Sequence, residues 1–89
     1  MARLIQTPLL RKVRKALTQR FPLPARVRLE DHDGIIGSIA AGEFAGMSTI
    51  DRQNLIGKVL AAHLSREEQR RVQVIVGVTP DEETGYLAG

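Results

Sequence analysis

The stretch Phe44-Ala45-Gly46-Met47-Ser48-Thr49-Ile50-Asp51-Arg52-Gln53 decides how this chain folds. It joins two short alternating segments upstream to a helical pattern downstream. Ser48 or Thr49 can accept a hydrogen bond from the free N–H groups of a first helical turn, and Asp51 suits the positive end of that helix. Ile50, Leu55, Ile56, Val59, Leu60, His63 and Leu64 then recur at helical spacing. They predict a helix to about residue 64, with these residues on its buried side. Phe44 is the one large aromatic available to anchor the upstream segments to this helix. Gly46 permits a tight approach or a positive φ.

Upstream, Val27 and Leu29 alternate with Arg26, Arg28 and Glu30, and Ile35, Gly37 and Ile39 take the other parity after Asp31-His32-Asp33-Gly34. This is a hairpin pattern. A two-residue loop would set Leu29 opposite Ser38 and mix the faces. A three-residue loop, His32 to Gly34, sets Val27 opposite Ile39 and Leu29 opposite Gly37, which gathers the apolar set. The expected turn is type I, closed by Gly34 at positive φ, with His32 at the exposed tip. Gly42 ends the second strand.

Before the hairpin, Thr7-Pro8 is a helix start. Leu9, Leu10, Val13, Ala16, Leu17 and Phe21 form its apolar face, with Arg11, Lys12, Arg14, Lys15 and Gln19 opposite. Phe21-Pro22-Leu23-Pro24 stops it, because a residue before proline is pushed out of helical geometry. After the central helix, Ser65-Arg66-Glu67-Glu68 reads as a capping box opening a short helical turn. Val72, Val74, Val76 and Val78 then alternate with Gln73, Ile75 and Gly77, a strand whose valines are expected on one apolar face. Ile36 and Ile75 are expected on the side away from the helices, where exposed apolar surface leaves a homodimer open. Thr79-Pro80 ends the strand, and residues 81–89 form an acidic tail, a short helix or a frayed end.

The resulting order is helix, strand, strand, helix, short helix, strand. The expected fold is α+β, with a three-stranded mixed sheet and helices packed on one face. The whole of residues 1–89 reads as one domain, with residues 1–24 forming the basic helix and its proline stop. A chain of 89 residues has room for one two-layer core. The absence of cysteine excludes disulfides, thiolate nucleophiles and cysteine-based metal sites. No apolar run approaches a membrane span, and no leader pattern opens the chain, so a soluble cytoplasmic protein without membrane contact is expected.

Net charge is +3, and it is unevenly placed: Arg3, Arg11, Lys12, Arg14, Lys15, Arg20, Arg26 and Arg28 precede the first acid, Glu30. Such a run is either a solvated helix face or a surface for nucleic acid or an acidic protein. Catalysis would need a nucleophile, a base and a charge stabiliser converging on a pocket. The chain has two histidines far apart and no HExxH, P-loop or GxSxG, so no enzyme is expected. Asp31-His32-Asp33 could pass for an acid–base cluster. Neighbouring side chains diverge in extended backbone, however, and aspartates serve turns by local hydrogen bonding.

Phe44-x-Gly46 before the helix, Arg52-Gln53 within it, Leu60 and Leu64, the hairpin and a last strand ending at Thr79-Pro80 together resemble the BolA family, over about two-thirds of the chain. The αββααβ order is also that of the type II KH fold. The resemblance implies a non-enzymatic protein that binds a monothiol glutaredoxin in iron–sulfur or iron homeostasis. It has no cofactor alone and shares an iron–sulfur cluster with that partner. It also implies ligands from a histidine at the start of the last strand and a histidine or cysteine in the hairpin loop. Here His32 matches the loop position and Gln73 stands at the strand position, so Asp31, His32, Asp33 and Gln73 form the implied partner surface. A carboxamide binds iron poorly beside an imidazole. The alternative is a nucleic-acid-binding regulator, with Arg11, Lys12, Arg14 and Lys15 contacting phosphates. The KH signature is a G-x-x-G loop between helices, whereas Gly34-Ile35-Ile36-Gly37 lies in the hairpin without a basic residue.

Overall fold

The computed structural model of the chain describes residues 7–88. Residues 1–6 and 89 of the expected domain, Arg3 among them, lie outside that range. The elements are α1 (Pro8–Arg20), β1 (Arg26–Asp31), β2 (Ile35–Ala40), a 3-10 turn at Gly42–Phe44, α2 (Thr49–His63), α3 (Arg66–Arg70), β3 (Val72–Val78) and α4 (Pro80–Ala88). The fold is α+β around a three-stranded mixed sheet, as the patterning dictates. Strand order is β1-β2-β3, with β1 antiparallel and β3 parallel to β2.

Each helix start follows from its capping residue. The Thr7 hydroxyl accepts the Leu10 N–H at 3.1 Å, and Ser48 accepts the Asp51 N–H at 3.1 Å. Ser65 and Glu68 form the expected reciprocal box. A second box fixes the tail: Thr79 accepts the Glu82 N–H at 3.1 Å while Glu82 accepts the Thr79 N–H at 2.8 Å. The open choice between helix and frayed end is therefore resolved as helix.

The hairpin has the expected register, Val27 opposite Ile39 and Leu29 opposite Gly37, and the expected three-residue loop. Its turn differs from the expected type I form. Asp33 takes φ 57° and Gly34 φ 130°, so the left-handed region begins one residue early. Aspartate's short polar side chain makes it one of the few residues that adopt this region readily.

The β3 face is a correction. Ile35 pairs with Val72 but Ile36 pairs with Val74, so Gln73 is an extra residue, a β-bulge. The bulge shifts the alternation by one. Ile75 therefore turns under the helices and is 3 % exposed, while Val74 (48 %) and Val76 (39 %) face the open side. Ile36 is half-buried on that open side, as expected; Ile75 is not there. A period-two reading of four valines cannot register an inserted residue.

The core joins the apolar faces of α1 and α2 to Ile35, Ile39 and Ile75 of the sheet. Phe44 is fully buried and packs on Phe21, with ring centroids 5.4 Å apart. On α2 the buried stripe is Ile56 and Leu60, continued by the C-cap residue Leu64 and flanked by Leu55 and Val59. Ile50 and His63, expected on that side, are exposed. Ile50 lies six residues before Ile56, about 240° around the helix. His63 ends α2 beside Lys12 and Lys15, in a cleft that α1 leaves open.

The first turn of α4 engages the opposite side of the sheet. Glu83 is 7 % exposed and bonds to Arg26 at 2.5 Å, with Arg28 3.8 Å away. Both arginines have the parity that points away from α1 and α2. Ala40 and Val78 share that parity and are buried at the same end. Among the described residues, no helix is long and apolar enough to cross a membrane.

Candidate functional site

The hairpin tip and the start of β3 meet on one surface. Gln73 Nε2 donates to the Asp33 carbonyl at 2.8 Å, so the bulge residue holds the turn. The contact is close: a Cβ on Gly34 would sit 2.5 Å from Gln73 Nε2. Asp31 Oδ1 accepts the Gly34 N–H at 3.3 Å, and its Oδ2 accepts from the Thr7 hydroxyl at 3.5 Å, tying the turn to the start of α1. His32 Nε2 lies 2.7 Å from Glu30 Oε1, both side chains about two-thirds exposed. A polar contact so open to solvent contributes little to stability. His32 is thus presented at the tip rather than built into the fold.

Of the implied site residues, Gln73 and Asp33 touch, Asp31 shapes the same turn, and His32 projects from it beside Glu30. Among the described residues, no group of three or more histidine or carboxylate side chains could hold a metal ion. The pair His32 and Gln73 does not fit the two-ligand set that the resemblance implies. One imidazole is available, and Gln73 offers a carboxamide, a poor ligand for iron, in place of a second.

A second arrangement centres on Arg52 in the first turns of α2. Its partner is Glu82 of α4, with Nη1 2.7 Å from Oε1 and Nη2 3.3 Å from Oε2. Nε also donates to the Met47 carbonyl and Nη1 to the Gly77 carbonyl, each at 3.1 Å. The guanidinium lies 5.9 Å from the Phe44 ring centre, and the side chain is 14 % exposed. Arg52 therefore fastens α4, β3 and the loop after Phe44 to α2. The Thr79-x-x-Glu82 spacing was the signal that could have placed this carboxylate.

Hydrogen bonds from Arg52 and from the Thr79 N–H hold the Glu82 carboxyl below its ordinary pKa. Those from the Ser65 N–H and Lys12 do the same for Glu68. A depressed carboxylate stabilises the fold above its unfolded pKa and ceases to do so as pH falls through the folded value. Glu82→Gln should therefore lower the melting temperature at neutral pH and converge with the parent chain as pH falls below about 4.3. Thermal melts of both chains across that range check this; a gap that persists undiminished in acid would contradict it.

The basic face of α1 is partly occupied. Lys12 Nζ bonds both oxygens of Glu68, at 2.9 and 3.0 Å, and Arg20 forks onto Glu43 at 3.0 and 2.8 Å. Arg14 is half-buried, with its Nε buried and unpartnered. Arg11 and Lys15 are exposed, one helical turn apart. No protein-family model, curated protein or solved structure matches this chain.

Proposed function

We propose that this chain is a non-enzymatic, BolA-like binding protein that works by protein–protein contact through its hairpin tip and the start of β3. Its partner is a monothiol glutaredoxin or another protein of iron–sulfur or iron handling. The observation that carries the reading is the Gln73 Nε2–Asp33 carbonyl bond, which joins the two segments implied to form the partner surface. The αββααβ core, the hairpin register and the anchoring of Phe44 beside Gly46 and Arg52 lend it support. With Gln73 in the strand position, the chain contributes a recognition surface and no ligand from β3. A shared iron–sulfur cluster could draw on His32 alone from this side.

The test is co-elution with a monothiol glutaredoxin in the presence of ferrous iron and sulfide, with the visible spectrum recorded. The expected result is a complex whose spectrum matches that of the glutaredoxin alone. Gln73→His should change that spectrum, and His32→Ala should then reverse the change. Absence of a complex for both the parent chain and Gln73→His would overturn the reading. The exposure of Arg11 and Lys15 favours a second reading, nucleic-acid binding through α1. Salt-sensitive duplex binding weakened by Arg11→Ala and Lys15→Ala would support it.

A further inference from the structure

β3 is an edge strand, and from Val72 to Val78 it carries no charge and no proline; its bulge at Gln73 lies at the start of the strand, before the regular stretch 74–78. Its backbone directions follow from one bond. The Val78 carbonyl accepts the Ala41 N–H at 2.9 Å, so Val78 faces β2. Residues of a parallel strand alternate between facing their neighbour and facing out. Val76 and Val74 therefore also face β2, while Ile75 and Gly77 present their N–H and C=O groups outwards. The Gly77 carbonyl meets Arg52 Nη1, as an outward group must. No backbone group of another element is bonded to Ile75 among the described residues. The open edge thus has its centre at Ile75, away from the hairpin tip.

We propose that β3 pairs antiparallel with β3 of a second copy of this chain about a two-fold axis at Ile75, joining the two sheets into one of six strands. The arrangement is self-complementary. Ile75 exchanges both backbone hydrogen bonds with Ile75 of the second copy. On the open side, Val74 comes opposite Val76 of the second copy, and the half-buried Ile36 extends the apolar strip on each flank. Charge sets the direction. Exposed Arg70 and Arg71 precede β3, and exposed Asp81 follows it, so antiparallel pairing lays the basic end of one copy beside the acidic end of the other. A parallel pairing would put like ends together.

The register makes the test specific. Sedimentation of the full chain from micromolar to millimolar concentration should show a monomer–dimer equilibrium. In Val74→Lys/Val76→Lys, each lysine faces a lysine of the second copy, and the dimer dissociation constant should rise at least tenfold or so. In Val74→Lys/Val76→Glu, each lysine faces a glutamate, and dimerisation should return towards the parent value. Both side chains are exposed, and circular dichroism confirms that each variant keeps the fold. A parent chain monomeric throughout overturns the proposal. So does equal dimerisation of the two variants, which would place the contact elsewhere or in another register.

Discussion

Replacing Phe44 by alanine is expected to lower the unfolding free energy by about 3–5 kcal/mol. Phe44 has no exposed surface, and it fills the space between Phe21, the Arg52 guanidinium and the backbone of β3 at Gly77. Its neighbours cannot collapse into the gap. The ring of Phe21 is held by α1, and Arg52 is held by two carbonyls and Glu82. A small domain has only about 5–15 kcal/mol of stability in total, so most of it would go. Urea unfolding should show a midpoint that falls sharply at an unchanged slope. Phe44→Leu should recover a large part of the loss, because most of the volume returns. A Phe44→Ala midpoint within error of the parent would mean that this ring does not join the hairpin to α2.

Gly37→Ala should cost about 3 kcal/mol or more, the upper end for an overpacked site. A Cβ at Gly37 would overlap the Arg28 carbonyl oxygen. That atom is backbone in the adjacent strand and cannot swing aside, so relief requires the hairpin to part where Leu29 pairs with Gly37. Two other glycines calibrate the argument. At Gly77 the Cβ would meet the Phe44 ring at 2.8 Å, and a cost of about 1–3 kcal/mol is expected. At Gly42 it would meet open space, and the change should stay within about 0.5 kcal/mol. Chemical denaturation of the three alanine variants should reproduce that ranking. An inverted order of Gly37 and Gly42 would contradict the packing described for the hairpin.

The parts of this fold that sequence could reveal are those governed by local rules. Thr7, Ser48 and Ser65 cap the helices that their spacing announces, because capping needs a side chain and a few neighbouring N–H groups. The hairpin register followed from parity, since one-residue slips would expose Val27 and Leu29. What escaped was non-local. The bulge at Gln73 is set by how β3 docks on β2, and no alternation of valines announces it. Likewise the carboxylate of Glu82 lies thirty residues beyond Arg52, and only the fold brings α4 against the start of α2. At the hairpin tip the resemblance implied that His32, Asp33 and Gln73 share one surface. It could not show that the amide of Gln73 is already committed to the turn.

The bulge also separates the choice of side chain at residue 73 from the shape of the domain. A residue in the regular ladder is bound on both sides by its role in packing and pairing, so a change of side chain there is judged first by folding. Gln73 stands outside that bargain: exposed and surplus to the register, it is tied down by a single amide contact worth about 1 kcal/mol. A different side chain at this place would leave the ladder on either side of it, and the core beneath, as they are.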